Sequence, residues 1–128
     1  MTSTTETRII GRAIPSLLSA DLEVTKAFYE SLGFSVSGEW NGDEEGADWI
    51  ELRRDRMVLQ FYREPPRGTP MKPVFSGTLY FEVTGLDELA KQFANVTSLE
   101  WGPERMDYGQ KEFALRDPDG YLIAFFEQ

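Results

Sequence analysis

One pattern occurs twice in this chain, at a spacing of 64 residues, which is half of its 128. The apolar run Met57–Tyr62 (MVLQFY) aligns with residues 121–126 (YLIAFF). Leu22, at the start of one helical spacing of apolar residues, falls on Leu86, at the start of another. An internal repeat that joins hairpin to hairpin and helix to helix indicates two copies of one supersecondary unit.

The order of elements in each copy follows from periodicity and from turn residues. The predicted elements of the first copy are a strand over residues 8–18, a helix over 22–32, a strand over 34–40, and hairpin strands over 49–52 and 57–63. Those of the second are a strand over 74–84, a helix from Leu86, a short strand within 98–106, and a hairpin over 111–127 that turns at Asp117-Pro118-Asp119-Gly120. The sequence therefore predicts an α+β fold of two tandem βαβββ modules.

Each half is too small to be stable alone, so we expect a single domain over residues 1–128. Module 1 covers about residues 8–64 and module 2 about 74–128. The linker between them, about 65–73, is rich in proline and is expected to be extended.

Composition excludes several classes of function. The chain has no histidine and no cysteine, which removes the commonest general base, thiolate nucleophiles, disulfides and the usual zinc ligands. Its net charge of −9 opposes binding to nucleic acid and favours a cationic ligand. No apolar run is long enough for a membrane helix, and the N-terminus lacks the apolar core of a signal peptide, so a cytoplasmic location is expected.

Alternation along the first hairpin separates two faces. With Leu52 opposite Met57, one face is uniformly apolar and is expected to pack on the helices: Ile50, Leu52, Met57, Leu59 and Phe61. The other face is mixed and suits a ligand-binding wall: Trp49, Glu51, Val58, Gln60 and Tyr62. The repeat predicts the matching wall of the second module: Phe113, Leu115, Leu122, Ala124 and Phe126, with Lys111 extending it. A second core or a dimer interface explains such a face equally well.

Three stretches together resemble the bleomycin resistance proteins of the vicinal oxygen chelate superfamily, which also contains glyoxalase I and extradiol dioxygenases. They are residues 14–34, Met57–Tyr62 and residues 108–127, and the sub-motifs AFYESLGF and ALRDPDGYLI are their most specific parts. The resemblance implies paired βαβββ modules with curved mixed sheets around a cavity. It also implies a homodimer with two clefts, each lined by one module from each chain. Closure of the two modules on each other within one chain is the alternative.

The metalloenzymes of that superfamily place metal ligands at four positions, which fall here on Ile14, Gln60, Thr78 and Ala124. Two of these side chains are apolar and two are neutral, and such a set does not hold a divalent ion tightly. We therefore expect no metal or other cofactor, and the sequence favours binding without catalysis.

The function that the resemblance implies is sequestration of a flat, cationic, aromatic antibiotic of the bleomycin type. A binding protein for another aromatic metabolite, or a metal-dependent lyase or dioxygenase, is the alternative. The predicted contacts combine aromatic rings for stacking, an acid for a cationic group and an amide for a hydrogen bond. They are Trp49, Glu51, Gln60, Tyr62, Phe75, Tyr80, Tyr108, Lys111 and Phe113.

Overall fold

The computed structural model describes residues 5–41, 48–63 and 72–128. Residues 42–47, between two predicted strands of module 1, and residues 64–71, which include most of the predicted linker, lie outside these ranges. The elements are β1 (Ser16–Leu18), α1 (Leu22–Ser31), β2 (Ser35–Trp40), β3 (Trp49–Arg54), β4 (Met57–Tyr62), β5 (Thr78–Glu82), α2 (Leu86–Ala94), β6 (Leu99–Arg105), β7 (Lys111–Arg116) and β8 (Leu122–Glu127). Among the described residues, no helix is long and apolar enough to cross a membrane.

Two four-stranded mixed sheets, one per module, confirm the predicted α+β fold. The first sheet has the order β1-β4-β3-β2 and the second the order β5-β8-β7-β6. In each sheet the first strand of the module pairs in parallel with the last, and the remaining pairs are antiparallel. Helices α1 and α2 begin 64 residues apart, at Leu22 and Leu86, as the repeat predicts.

The two helices begin with different caps. The Asp21 carboxylate accepts hydrogen bonds from the amides of Glu23 and Val24, a common way to satisfy the free N–H groups at a helix start. The capping position before α2 is Gly85, which has no side chain for this purpose. The Glu127 carboxylate accepts instead from the amides of Gly85 and Leu86, so the last strand holds the start of α2.

The first strand of each module is shorter than predicted. Strand β1 covers only Ser16–Leu18 of the predicted 8–18, and β5 only Thr78–Glu82 of 74–84. The parallel register places Ser16 beside Gln60, three residues after the start of β4. Residues 5–12 therefore extend past Met57, the first residue of β4, and no strand among the described residues pairs with them.

One hydrophobic cluster contains the helix-facing side chains of both modules. Phe61 and Phe125 are buried in it, as predicted, together with Ile50, Leu59, Leu86, Phe93 and Ile123, while Leu89 is partly buried against it. Aromatic rings link the elements of the second module: Phe113 and Phe125 stack at 5.1 Å, and Phe93 meets Phe125 edge-on at 5.4 Å. The helix-facing sides of both sheets are thus turned inward to a common core.

The β7–β8 turn connects the second module to the first. The Asp117 carboxylate is buried and accepts a 2.7 Å hydrogen bond from the Tyr29 hydroxyl of α1. Asp119 accepts from the Ala20 amide and the Thr25 hydroxyl, and the Tyr121 hydroxyl donates to the Leu18 carbonyl. Asp117 and Asp119, which the sequence places in the predicted turn, therefore also join the two modules.

Burial controls the protonation of this junction. It raises the pKa of Asp117, while the hydrogen bonds from Tyr29, Tyr121 and Asp119 partly offset that rise. Burial also raises the pKa of the Tyr29 hydroxyl well above its usual value, and the charge of Asp117 adds to the shift. Tyr29 therefore stays protonated at neutral pH and remains the donor.

Substitution of Tyr29 by Phe tests the junction. The variant keeps the ring and leaves one oxygen of buried Asp117 without its donor, so we expect a loss of roughly 1–3 kcal/mol in unfolding free energy. Urea denaturation followed by circular dichroism measures it. Tyr108→Phe is the matched control, since Tyr108 is exposed and its variant should change stability by less than about 0.5 kcal/mol. Equal stability of the two variants would contradict the role of this contact.

Candidate binding faces

The first sheet has an open face, on the side away from the helices, that carries the predicted mixed set. The pairing is Leu52 with Leu59 and Trp49 with Tyr62, two residues away from the predicted register. A shift of two residues keeps every side chain on its side of the sheet, because the side-chain period of a strand is two. The first open face therefore consists of Trp49, Glu51, Val58, Gln60 and Tyr62, as predicted, together with Ser16 and Leu18 of β1.

Glu51 lies in the middle of the first open face and is held by three neighbours. Its Oε2 accepts from the Gln60 amide at 2.9 Å, and its Oε1 accepts from the Ser37 hydroxyl at 2.8 Å. The Arg53 guanidinium lies 3.8 Å from Oε1. The hydrogen bond from Gln60 and then that from Ser37 lower the pKa of Glu51, and Arg53 adds to the effect. The group is a fixed negative charge at neutral pH.

Trp49 is half-buried beside this charge, and a glycine on the neighbouring strand makes room for it. A Cβ at Gly38 would lie 3.1 Å from the indole ring of Trp49. The ring therefore lies over the backbone of β2. It offers a flat apolar surface beside Glu51, which suits stacking on a planar ligand.

The second open face differs from the prediction. Phe113 and Leu115 are fully buried in the common core, on the helix-facing side, and do not belong to the cavity wall. The residues of β7 on the open side are Glu112, Ala114 and Arg116, opposite Phe126, Ala124 and Leu122 of β8. The β8 part of the predicted wall is thus correct, and the β7 part was assigned to the wrong side.

Loop length explains the difference. In the first hairpin four residues lie between Arg53 and its partner Val58, whereas five lie between the equivalent pair Arg116 and Leu122. Phe61 pairs with Ile50, but its counterpart Phe125 pairs with Phe113. The spacing between equivalent residues is therefore 64 in the last strand of each module and 63 in the strand before it. A change of one residue moves every side chain of β7 to the opposite face.

Glu112 is the residue on this face that sequence reasoning missed. It is fully buried, and its Oε2 accepts a 3.3 Å hydrogen bond from the indole N–H of Trp101. Among the described residues, no donor reaches its Oε1. Tyr80 lies close by: burial raises the pKa of the Tyr80 hydroxyl, the charge of Glu112 raises it further, and a hydrogen bond from this hydroxyl towards the Glu112 carboxylate, longer than 3.5 Å, adds to the shift. The difference in loop length between the hairpins is the sequence signal for this residue.

Three other predicted contacts lie apart from the open faces. Lys111 lies on the helix-facing side, where its ammonium group is 2.8 Å from Asp87 of α2, so it does not extend the wall. Tyr108 is exposed in the connection between β6 and β7. Phe75 lines a groove of about 420 Å³ that also includes Ile14, Tyr62 and Tyr121. The groove brings the predicted contacts Tyr62 and Phe75 together.

The donors at the superfamily's metal positions do not fit a divalent ion. Gln60 already donates to Glu51, and Ala124 is a buried methyl group on the second open face. Ile14 precedes β1 and is half exposed, whereas Thr78 begins β5. Within the described residues, no group of three or more carboxylates is placed to hold a metal ion. The open faces offer aromatic rings, acidic groups and hydrogen-bonding groups.

Comparisons with known proteins agree with this fold and surface. The sequence profile described as "Glyoxalase/Bleomycin resistance protein/Dioxygenase superfamily" matches residues 10–125. A bleomycin resistance protein of Klebsiella pneumoniae is 31% identical over 127 residues, which cover 91% of each chain.

Two solved structures are similar over nearly their whole length. One is a bleomycin-binding protein complexed with bleomycin, with a TM-score of 0.71 and 26% identity over 93% of this chain and 99% of that one. The other is a bleomycin resistance determinant encoded on the transposon Tn5, with a TM-score of 0.71 and 28% identity over 93% and 98%.

The pKa of Glu51 provides a test of the first open face. Gln60→Leu removes the contact that lowers this pKa most, so we expect it to rise towards the usual value of 4.5; Ser37→Ala should raise it less. Carboxyl ¹³C shifts recorded across a pH titration measure both. Ionised Glu51 stabilises the fold above its unfolded pKa, and this effect is lost as the pH falls through the folded pKa. An unchanged pKa in Gln60→Leu would refute the contact.

Proposed function

We propose a binding function for this chain, which belongs to the Glyoxalase/Bleomycin resistance protein/Dioxygenase superfamily. It takes up a planar, cationic, aromatic antibiotic of the bleomycin type and releases it chemically unchanged. The observation that carries the proposal is the first open face, where the Trp49 ring lies beside the fixed negative charge of Glu51. A ring for stacking and a charge of opposite sign are what a planar cation requires.

The donor set supports binding without reaction. The superfamily's metal positions carry Ile14 and Ala124, whose side chains have no lone pairs for a metal, and Gln60, which is engaged with Glu51. The chain also lacks the histidine and cysteine that most often act as general base or nucleophile. A metal-dependent lyase or dioxygenase would need groups that these positions do not supply.

A homodimer is part of the proposal. The helix-facing sides of both sheets are consumed by the common core, and the main contacts between elements stay within a module, so neither open face is covered by the other sheet. A second copy that places its first open face opposite the second open face of this chain would cover both faces and create two clefts.

Titration with bleomycin tests the function. We expect saturable binding by calorimetry, with the drug recovered at its original mass after release. Trp49→Ala should weaken binding roughly tenfold or more, as expected for removal of an aromatic anchor. Val24→Ala, which trims an exposed side chain on α1, should leave the affinity unchanged.

A panel of planar cations and neutral aromatic compounds separates this function from its rival. If bleomycin fails to bind at high micromolar concentration while another aromatic compound binds and depends on Trp49, the chain is a binding protein for that metabolite instead. A change in the mass of the drug would contradict binding without reaction.

Light scattering tests the dimer. We expect twice the monomer mass of 14.6 kDa at micromolar concentration. Each cleft would then contain one open face from each chain, so dilution that dissociates the dimer should abolish ligand binding as well. A mass of 14.6 kDa with ligand binding intact would show that one chain forms the site alone.

A further inference from the structure

The second open face contains a carboxylate with unused hydrogen-bonding capacity. Glu112 has no exposed surface, its Oε2 accepts from Trp101, and its Oε1 has no donor among the described residues. A buried carboxylate normally accepts hydrogen bonds on both oxygens, because an oxygen without a donor has lost its hydrogen bonds to water and gained none in return. Glu51, the corresponding charge of the first open face, has a donor on each oxygen. A ligand could therefore donate a hydrogen bond to Glu112 without displacing a short one, which is not so for Glu51.

Three aromatic side chains lie around Glu112. Phe126 is its direct cross-strand partner, and the Trp101 indole donates to it. Tyr80 meets Phe126 edge-on at 6.3 Å between ring centroids and feels the charge of Glu112. We call Tyr80, Trp101 and Phe126, with Glu112 behind them, the second-sheet platform. All three rings are partly exposed, so the platform faces outward.

Small residues allow the platform to form. Along the sheet, Tyr80 pairs with Ala124, which pairs with Ala114. Two methyl groups in succession leave space for the tyrosine ring above β8 and β7. Gly102, next to Trp101, lets β6 approach β7 closely, since a Cβ at this position would lie only 2.2 Å from the Glu112 carbonyl oxygen. This close approach of β6 to β7 keeps the indole within reach of the carboxylate.

The surroundings are acidic. Glu82, opposite Phe126, and Glu104, opposite Glu112, are exposed on the same face. The one arginine of this face in β7, Arg116, lies 3.5 Å from Glu100, which offsets its charge. A buried charge behind aromatic rings also acts through a medium of low dielectric, where it is screened little. Cations are therefore attracted to these rings more strongly than to exposed rings alone.

We propose that the second-sheet platform binds the cationic group of the ligand, an organic ammonium whose apolar body lies on the rings and whose N–H donates to Glu112 Oε1. This assignment deepens the proposed function and rests on it for the identity of the natural ligand. Tyr80, which is 49% exposed, is the side chain that turns aside to open the path to Glu112. Glu51, with both oxygens occupied, supplies charge on the first open face, and Glu112 supplies the direct contact.

Nuclear magnetic resonance on the full chain tests the platform with two small probes. Phenethylammonium carries the cation, and 2-phenylethanol is its neutral counterpart with the same ring. The three tryptophans give three indole N–H signals, and the spectrum of Trp101→Phe assigns the relevant one. We expect phenethylammonium to shift the Trp101 signal saturably, with an affinity about tenfold higher than that of the alcohol.

Glu112→Gln keeps the shape and removes the charge, so it should reduce the affinity for phenethylammonium to that for the alcohol. Glu88→Gln removes one charge from an exposed position on α2 and should leave both affinities unchanged. Equal affinities of the two probes for the unaltered chain would overturn the proposal, and this comparison needs no variant. So would unchanged ammonium binding in a folded Glu112→Gln variant, or a probe that shifts only the other two indole signals.

The outcome is separable from that of the bleomycin titration. If bleomycin does not bind but phenethylammonium binds with the stated dependence on Glu112, the platform stands and the natural ligand is a different cation. If bleomycin binds and neither ligand responds to Glu112→Gln, the function stands and the platform is refuted.

Discussion

The β7–β8 turn is the constraint on which the arrangement of this molecule depends. Asp117 accepts a buried hydrogen bond from Tyr29, and Asp119 accepts from Ala20 and Thr25 nearer the surface, so one turn joins the two modules. Such groups are expensive to separate, because each partner would be left without a donor or acceptor away from water. These contacts lie beside the core in which the apolar sides of both sheets merge.

The open faces follow from this arrangement. Since the helix-facing sides meet in the core, the mixed sides of the two sheets point away from it. That surface combines rings and acidic groups, and it lacks the donors that the superfamily's metal chemistry needs at Ile14 and Ala124. One fold can serve both enzymes and binding proteins, because function is decided by the side chains at the site and not by the scaffold.

The two open faces are not equivalent, although the modules are copies of one unit. Glu51 has a donor on each oxygen, whereas Glu112 is buried more deeply and its Oε1 has no donor within 3.5 Å in the part of the chain that the structure describes. Trp49 pairs with Tyr62 in the first sheet, and at the equivalent position of the second sheet Glu112 pairs with Phe126. A cleft built from one face of each kind has two different walls, which suits a ligand with a planar part and a cationic part.

The sequence by itself determined the repeat, the two βαβββ modules, the buried positions of Phe61 and Phe125, and the composition of the first open face. These features depend on local periodicity and on strand alternation, which can be recognised within a short segment of sequence. The inward position of Phe113, the burial of Glu112 and the joining of the modules by Asp117 were decided by the tertiary structure. The physical reason is that a strand's facing depends on how many residues its hairpin loop contains, and the partners of a buried polar group come from distant parts of the chain.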